Sequence, residues 1–321
     1  MQVVKGMSFS LSTKNELARV CEKKRCCQLA ELAALIKVSG VLKISGDKKT
    51  TLNLFTENAA VARKVFLLAK ELFRVSADVT VRRNVRFKKN NVYLVSIGGQ
   101  TEEILRETGL LTGGGNFREG IDRELLRREC CRRAYLRGIF LGGGSVADPG
   151  SGYHLEITVN TKNYAKEIFR FLHKMSFQPG WAVRKNGYVL YLKEAEQIVN
   201  CLGMMGAHAA VLHLENVRVY RQMRNQVNRQ VNCETANLAK TVNASLQQQE
   251  TILFLVSAVG LEKLPAPLRQ VAEARLAHPD ASLRELGEML TPKISKSGVK
   301  HRLRRLEEIA RLLPGEKGGR P

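Results

Sequence analysis

The sequence predicts an α+β platform of two pseudo-symmetric halves, each with the element order αββαββα, followed by an all-α helix-turn-helix domain. Three observations support this fold class. Residues 32–40 align with residues 136–144 at an offset of 104, strand and helix patterns recur in the same order after both segments, and residues 246–321 carry only helical patterns. The 321 residues are enough for two or three domains that each bury a core.

The first half is predicted to span residues 1–112. A helix is expected to start near Thr13, because Thr13 and Glu16 have the spacing of a capping box. The later elements are predicted from their periodicity: a helix over residues 32–40, strands over 41–44 and 51–56, an amphipathic helix over 59–73, a hairpin of residues 79–87 and 92–97, and a closing helix.

The second half is predicted to span residues 113–219 and to repeat this order. Asn186-Gly187 is a strong hairpin-turn signal, because both residue types tolerate the positive φ angles of a tight turn. The glycine-rich residues 112–116 are interpreted as a flexible link between the halves. The elements expected are a helix over residues 136–144, a strand over 153–159, a helix over 164–175, a hairpin of residues 181–184 and 188–192, and a closing helix.

The segment 220–245 is polar and rich in Asn, Gln and Arg. It lacks the wide apolar face of a helix that packs against a core, so it is interpreted as a solvated helix or connecting arm. Its amide and guanidinium side chains would also suit contact with phosphate, which is the alternative interpretation.

The C-terminal domain, residues 246–321, is predicted to be helical and to contain a helix-turn-helix. Ser282 and Glu285 form a capping box at the start of a short helix, and Pro292 lies in the turn that follows. In the last helix, apolar residues recur at steps of three or four and predict an inward stripe: Val299, Leu303, Leu306, Ala310 and Leu313.

The opposite side of this last helix is predicted to bind DNA. Residues 293–311 contain seven bases and two acids, and small residues near the helix start would allow close approach to a groove. An ordinary solvated helix surface is the alternative. Of the predicted contacts, Ser297, Lys300, His301 and Arg304 are expected to read base edges. The complete set, called the basic face, is Ser295, Lys296, Ser297, Lys300, His301, Arg304 and Arg305.

The overall charge points to a polyanionic partner. Lys and Arg number 52 against 30 Asp and Glu, which gives a formal net charge of +22. The excess is +12 in residues 1–99, +3 in 100–219 and +7 in 220–321. No apolar stretch approaches the length of a membrane span and no secretion signal is recognisable, so a cytoplasmic, nucleoid-associated protein with neither a membrane partner nor a small-molecule substrate is expected.

The cysteines are interpreted as buried structural thiols in a reducing compartment. They are odd in number, include two adjacent pairs and lack C-x2-C spacing, so neither a disulfide framework nor a zinc site is predicted, and no metal or cofactor is expected. The seven are Cys21, Cys26, Cys27, Cys130, Cys131, Cys201 and Cys233.

The two repeated segments, residues 32–40 and 136–144, resemble the L-A-G-L-I-D-A-D-G signature of homing endonucleases. That resemblance implies two helices packed at a pseudo-twofold axis and sheets that form a saddle over DNA. It also implies one metal-binding acid from each helix, but Ser39 and Gly143 stand at those positions, and the earlier acid is replaced by Lys37 or Leu141.

No catalytic residues and no enzyme activity are therefore expected, because serine and glycine cannot replace two metal-binding carboxylates. The alternative function is an active metal-dependent endonuclease of this type. It would need Asp47 and Asp148 as substitute ligands, but both acids fall in predicted loops or turns, where Asp is common.

The combination of an acid-deficient double repeat and a terminal helix-turn-helix resembles the WhiA family of Gram-positive bacteria. The resemblance covers nearly the whole chain and also rests on residues 8–17, 135–145 and 228–240. It implies a non-enzymatic, double-stranded-DNA-binding transcription regulator linked to cell division, chromosome segregation and, in spore formers, sporulation. Protein partners in transcription or division are implied as well.

A secondary basic patch is predicted in the hairpin of the first half. It comprises Arg82, Arg83, Arg86, Lys88 and Lys89. The patch is interpreted either as a charged sheet edge that discourages strand pairing or as part of a nucleic-acid-binding saddle. A third hypothesis makes the whole platform a protein-docking surface and leaves DNA contact to the terminal domain.

Overall fold

A computed structural model describes residues 7–44, 50–83, 91–185 and 187–313. The chain divides into two compact units, Met1–Arg221, called the platform, and Gln222–Pro321, called the helical unit. Helix α8 (His208–Ala258) contributes residues to both units.

The platform contains two halves that share the order αββαββα, and the first half begins with one additional helix. In the first half the elements are α1 (Phe9–Ala18), α2 (Arg25–Ser39), β1 (Gly40–Ile44), β2 (Thr50–Thr56), α3 (Ala59–Phe73), β3 (Ala77–Arg83), β4 (Asn91–Ile97) and α4 (Thr101–Glu107). In the second half they are α5 (Glu129–Gly143), β5 (Gly144–Val146), β6 (Leu155–Val159), α6 (Lys162–Lys174), β7 (Gly180–Arg184), β8 (Gly187–Leu192) and α7 (Ala195–Met205).

Each half builds one antiparallel four-stranded sheet. The strand orders, β1-β2-β4-β3 and β5-β6-β8-β7, are equivalent in the two halves. Leu52 pairs with Ile97 in the first sheet and Leu155 pairs with Leu192 in the second, so buried residues line one face of each sheet. The predicted α+β class with two pseudo-symmetric halves is confirmed.

Local capping explains where several helices begin. Asn58 accepts hydrogen bonds from the backbone N–H groups of Ala60 and Val61, and α3 has the predicted bounds. The predicted start of the first helix at Thr13 was wrong. Ser8 caps α1, and the Thr13 hydroxyl donates to the Phe9 carbonyl oxygen one turn earlier.

Glu16, the other half of the predicted capping box, serves a different helix. Its carboxylate accepts from the backbone N–H groups of Ala209 and Ala210 at 2.6 and 3.1 Å. A carboxylate there complements the positive end of α8.

The glycine-rich segment between the halves is an ordered turn and not the flexible link predicted from its composition. The backbone N–H of Thr112 donates to the Asn116 carbonyl oxygen at 2.8 Å, and a bridge joins Leu111 to Phe117. Backbone pairing therefore fixes a segment that glycine alone would leave free.

Helices α2 and α5 form the centre of the platform. A Cβ on Gly138 would lie 2.4 Å from the Glu31 carbonyl oxygen, and one on Gly143 would lie 2.7 Å from a methyl carbon of Val38. The earlier residue of α5, Gly138, meets the earlier residue of α2, Glu31, and the later residue, Gly143, meets the later residue, Val38. The two helices therefore run parallel. Glycine is needed at these positions because no side chain fits between the backbones.

A buried ionic network crosses this helix pair. The Arg137 guanidinium donates to both carboxylate oxygens of Glu31 at 3.0 and 2.9 Å, and Lys64 Nζ lies 3.1 Å from the same carboxylate. The Arg137 guanidinium also donates to Glu22 and to the Met205 carbonyl oxygen. The network joins α2, α3, α5 and α7.

The helical unit has its own core. Helices α9 (Ala266–Ala277), α10 (Leu283–Met289) and α11 (Lys296–Leu312) pack around residues that include Leu255, Val271 and Leu286. The predicted capping box is present: Ser282 Oγ accepts from the Glu285 N–H, and the Glu285 carboxylate accepts from the Ser282 N–H. No described helix is both long and apolar enough to cross a membrane.

Candidate nucleic-acid interface and the paired-helix centre

Helices α10 and α11 meet through a tight turn. The Ile294 N–H donates to the Gly287 carbonyl oxygen at 3.0 Å. A Cβ on Gly287 would lie 2.3 Å from the Ile294 carbonyl oxygen, so glycine permits this close approach. The turn fixes the start of α11 relative to the short helix before it.

Two serines organise the beginning of α11. Ser295 is the N-cap, and its Oγ accepts from the Gly298 N–H at 3.3 Å. The hydroxyl oxygens of Ser295 and Ser297 are 2.8 Å apart, and both residues are exposed. A helix N-terminus carries a partial positive charge, so this end of α11 favours an anionic partner.

The basic face forms two parallel rows on α11. One row is Lys296, Lys300 and Arg304, and the other is Ser297, His301 and Arg305, with neighbours in each row four positions apart in the sequence. All six residues are exposed. Each row extends about 12 Å along the helix at its rise per residue.

The other side of α11 supports these rows. Val299, Leu303, Leu306 and Ala310 are buried in the core of the helical unit, and Leu313 packs against it. The Arg302 guanidinium donates to the Pro267 carbonyl oxygen at 3.4 Å and therefore turns towards α9. The predicted separation into an inward stripe and an exposed basic side is present.

One carboxylate partly neutralises the positive charge at the C-terminal end of the basic face. Glu308 lies 2.8 Å from Arg305 and 3.6 Å from Arg304, and the hydrogen bond from Arg305 lowers the pKa of Glu308. Among the described residues, no acidic oxygen lies within 4.0 Å of the ammonium groups of Lys296 and Lys300. The least compensated cations thus lie towards the start of α11.

The helix ends that correspond to the endonuclease signature carry no described carboxylate pair. The Ser39 hydroxyl donates to the Leu35 carbonyl oxygen within its own helix at 2.8 Å. At Gly143, a Cβ would approach the Thr158 carbonyl oxygen to 2.4 Å. At position 143, the backbone of Thr158 therefore occupies the space that an acidic side chain would need.

The neighbouring signature positions are also unsuited to metal binding. Lys37 Nζ donates to the Arg118 carbonyl oxygen, and desolvation lowers the pKa of this ammonium group. Leu141 is buried. Asp148 is exposed in a turn and accepts from the Gly150 N–H at 2.7 Å, while Asp47 lies outside the described residues.

The secondary basic patch is only partly covered by the structure. β3 is an edge strand of the first sheet, and Arg82 on it is exposed. Arg83 ends the strand, whereas Arg86, Lys88 and Lys89 lie outside the described residues. An edge position leaves both the charged-edge and the nucleic-acid interpretations open.

The structure brings together four thiols that are interpreted from the sequence as separate structural cysteines. The Sγ atoms of Cys26, Cys27, Cys130 and Cys131, called the thiol cluster, all lie within 4.8 Å of one another. The signal in the sequence was the offset, because both cysteine pairs repeat at the same 104 residues as the helix motifs.

The thiols of the cluster differ in environment. Cys27 and Cys131 are buried, and Cys26 and Cys130 are half-buried. Burial raises the pKa of Cys131 to about 11. Burial also acts to raise the pKa of Cys26, but hydrogen bonds from Cys131, Cys27 and Arg128 outweigh it, so the pKa of Cys26 lies below its ordinary value.

The remaining three cysteines lie outside the cluster. Cys201 is buried, as predicted, whereas Cys21 and Cys233 are exposed.

Together these features define a protein with a LAGLIDADG-like platform and a helix-turn-helix domain. Three family profiles match in chain order: the WhiA N-terminal LAGLIDADG-like domain over residues 25–111, the WhiA LAGLIDADG-like domain over 132–224, and the WhiA C-terminal HTH domain over 227–310. The chain belongs to the WhiA family, as the sequence resemblance implied.

Curated relatives cover nearly the whole chain. A "Probable cell division protein WhiA" from Desulforamulus reducens is 55% identical over 310 residues, which is 96% of both chains. A protein of the same name from Heliobacterium modesticaldum is 52% identical over 319 residues, 98% of this chain and 99% of the relative. The crystal structure of full-length DUF199/WhiA from Thermatoga maritima, at 26% identity, superposes with a TM-score of 0.61 over 97% of this chain and 100% of that one.

Proposed function

We propose that this protein is a sequence-specific double-stranded-DNA-binding transcription regulator that acts in cell division and chromosome segregation and, in spore formers, in sporulation. The observation that carries this proposal is the basic face of α11, whose two rows are exposed and whose first cations have no acidic partner among the described residues. The names of the curated relatives support the cellular role.

In this function α11 is the helix that enters the major groove. Its N-terminal residues contact base edges, as in other helix-turn-helix domains. Ser297, Lys300, His301 and Arg304 are proposed to read bases, while Lys296 and Arg305 neutralise phosphates and release counterions. Ser295 fixes the helix start through its cap and adds a hydroxyl near the backbone of the DNA.

The platform is proposed to act without catalysis. Ser39 bonds back to its own helix, Gly143 has no room for a side chain, and neither supplies a metal ligand. We expect supercoiled plasmid to stay intact when it is incubated with the protein and magnesium. Nicking by the wild-type protein that disappears in Asp148→Asn would instead support the endonuclease alternative.

The DNA-binding proposal is tested by measuring affinity for a duplex taken from genome-wide mapping of bound sites. The variant Lys300→Ala/Arg304→Ala/Arg305→Ala should bind much more weakly, because each base contact contributes about 1–3 kcal/mol to discrimination. Its affinity should also fall less steeply with salt, by about 0.9 in the logarithmic slope for each phosphate that the variant no longer neutralises.

A control variant removes two positive charges elsewhere in the helical unit, against three in the test variant. Lys263 is exposed in the turn before α9, and Arg269 pairs with Glu273 at 3.9 Å on that helix. Lys263→Ala/Arg269→Ala should leave both affinity and salt slope near the wild-type values. Equal losses in the two variants would show that general charge, and not the basic face, drives binding.

A further inference from the structure

The thiol cluster has the composition and size of a structural zinc site. A tetrahedral zinc ion with four sulfur ligands at about 2.3 Å places the sulfur atoms about 3.8 Å apart. The four Sγ atoms of the cluster already lie within 4.8 Å of one another, so modest side-chain rotation would bring them to a common metal. Thiolates are also the ligands that select zinc over hard cations such as magnesium.

The position of the cluster in the fold supplies electrostatic compensation. Cys26 and Cys27 lie in the first turn of α2, and Cys130 and Cys131 lie in the first turn of α5. Because these helices are parallel, their positive ends meet at the cluster. A zinc ion with four thiolates carries two net negative charges, and it would offset this unfavourable meeting of helix ends.

Neighbouring groups could orient the ligands. The Arg128 guanidinium lies 3.8 Å from Cys26 Sγ and is placed to donate a hydrogen bond to this sulfur. Such outer contacts position ligands and stabilise their charge. A surface opening lined by Leu29, Leu125 and Arg128 reaches Cys26 and Cys131, so an ion has access from solvent.

We propose that Cys26, Cys27, Cys130 and Cys131 bind one zinc ion that clamps the N-termini of α2 and α5 and so joins the two halves of the platform. Binding replaces up to four thiol protons by one divalent cation and involves no change of oxidation state. A larger iron–sulfur cluster would need sulfide and several iron ions between the thiolates, and the compact sulfur arrangement does not suit it.

The first experiment uses the full-length protein without a histidine tag, purified under reducing conditions. Metal analysis should find one equivalent of zinc, or one equivalent should be retained after reconstitution and gel filtration. Cobalt added to the metal-free protein should give the absorption of a tetrahedral thiolate site. Wild-type protein that retains no zinc after reconstitution would overturn the proposal.

The second experiment compares cysteine variants. Cys26→Ser/Cys130→Ser removes two half-buried ligands and leaves the buried pair in place, so stoichiometric zinc should be lost. The control Cys21→Ser/Cys233→Ser alters two exposed cysteines outside the cluster and should retain zinc. Circular dichroism of the same samples reports folding, and equal zinc contents in the two variants would contradict the proposed ligands.

A third readout uses the wild-type protein alone. In the zinc-bound form, the cluster thiols should react slowly with a thiol reagent, and a chelator should release the metal and accelerate their reaction. The melting temperature should rise with zinc concentration, because the ion binds the folded state. Disulfides within the cluster in freshly reduced protein, found by mass spectrometry, would contradict a thiolate metal site.

Discussion

In the platform, Glu31, Arg137 and Lys64 are almost completely buried and satisfy one another, whereas on α11 Lys296, Lys300 and His301 stand in solvent. Both groups are rich in cations, but only the buried group is matched by acids at hydrogen-bond distance. The difference separates two uses of the same chemistry. Paired charge inside the platform fixes how the helices meet, and uncompensated charge on α11 remains free for an anionic partner.

The strongest way to test this contrast is to remove the acid at the centre of the buried network. Glu31→Gln leaves two buried cations facing a neutral amide, so the platform should lose about 3–5 kcal/mol of unfolding free energy. Trp181 is the only tryptophan and lies in β7, so urea unfolding followed by its fluorescence reports the platform specifically.

An exposed ion pair in the same unit provides the control. Arg106 and Glu102 are 2.6 Å apart on α4, but both side chains are more than half exposed. Glu102→Gln should therefore cost less than about 1 kcal/mol. If the two variants were equally stable, burial would not distinguish these ion pairs and the comparison would fail.

The sequence predicted best those parts of the fold that depend on local patterns. The bounds of α3 follow from an Asn cap and one amphipathic stripe, and the capping box of α10 needs only Ser282 and Glu285. The repeat offset revealed the two halves, because each half must bury its own helices and sheet in the same order.

Prediction from the sequence failed where a residue contacts a part of the chain that is distant in the sequence. Thr13 and Glu16 have capping-box spacing, but Glu16 instead caps α8, almost two hundred residues away, as its bonds to Ala209 and Ala210 show. β5 is only three residues long and gave no periodic signal.

The thiol cluster illustrates the same limit more sharply. Each adjacent cysteine pair alone carries no metal-binding spacing, and only the parallel packing of α2 and α5 brings the pairs together. In the basic face, by contrast, all members lie on α11 or at its N-cap, so helical periodicity sufficed to group them. Their proposed contacts with DNA remain a prediction.

A smaller test modifies the balance of charge on α11 itself. Glu308 is the acid paired with Arg304 and Arg305, and the hydrogen bond from Arg305 lowers its pKa below that of an ordinary glutamate, which is already ionised at neutral pH. Glu308→Gln should release both guanidinium groups and remove a charge that repels phosphate, so DNA affinity should rise modestly and its salt dependence should steepen.

Glu273→Gln, which breaks the Arg269 pair on α9, is the matched control and should change neither quantity. Since the arginine partners of Glu308 are held at the surface and are already hydrated, the gain should be smaller than the loss caused by Lys300→Ala/Arg304→Ala/Arg305→Ala. Weaker DNA binding by Glu308→Gln would mean that this carboxylate positions the arginines for their contacts, and the far end of the basic face would then resemble the ordered charges of the platform.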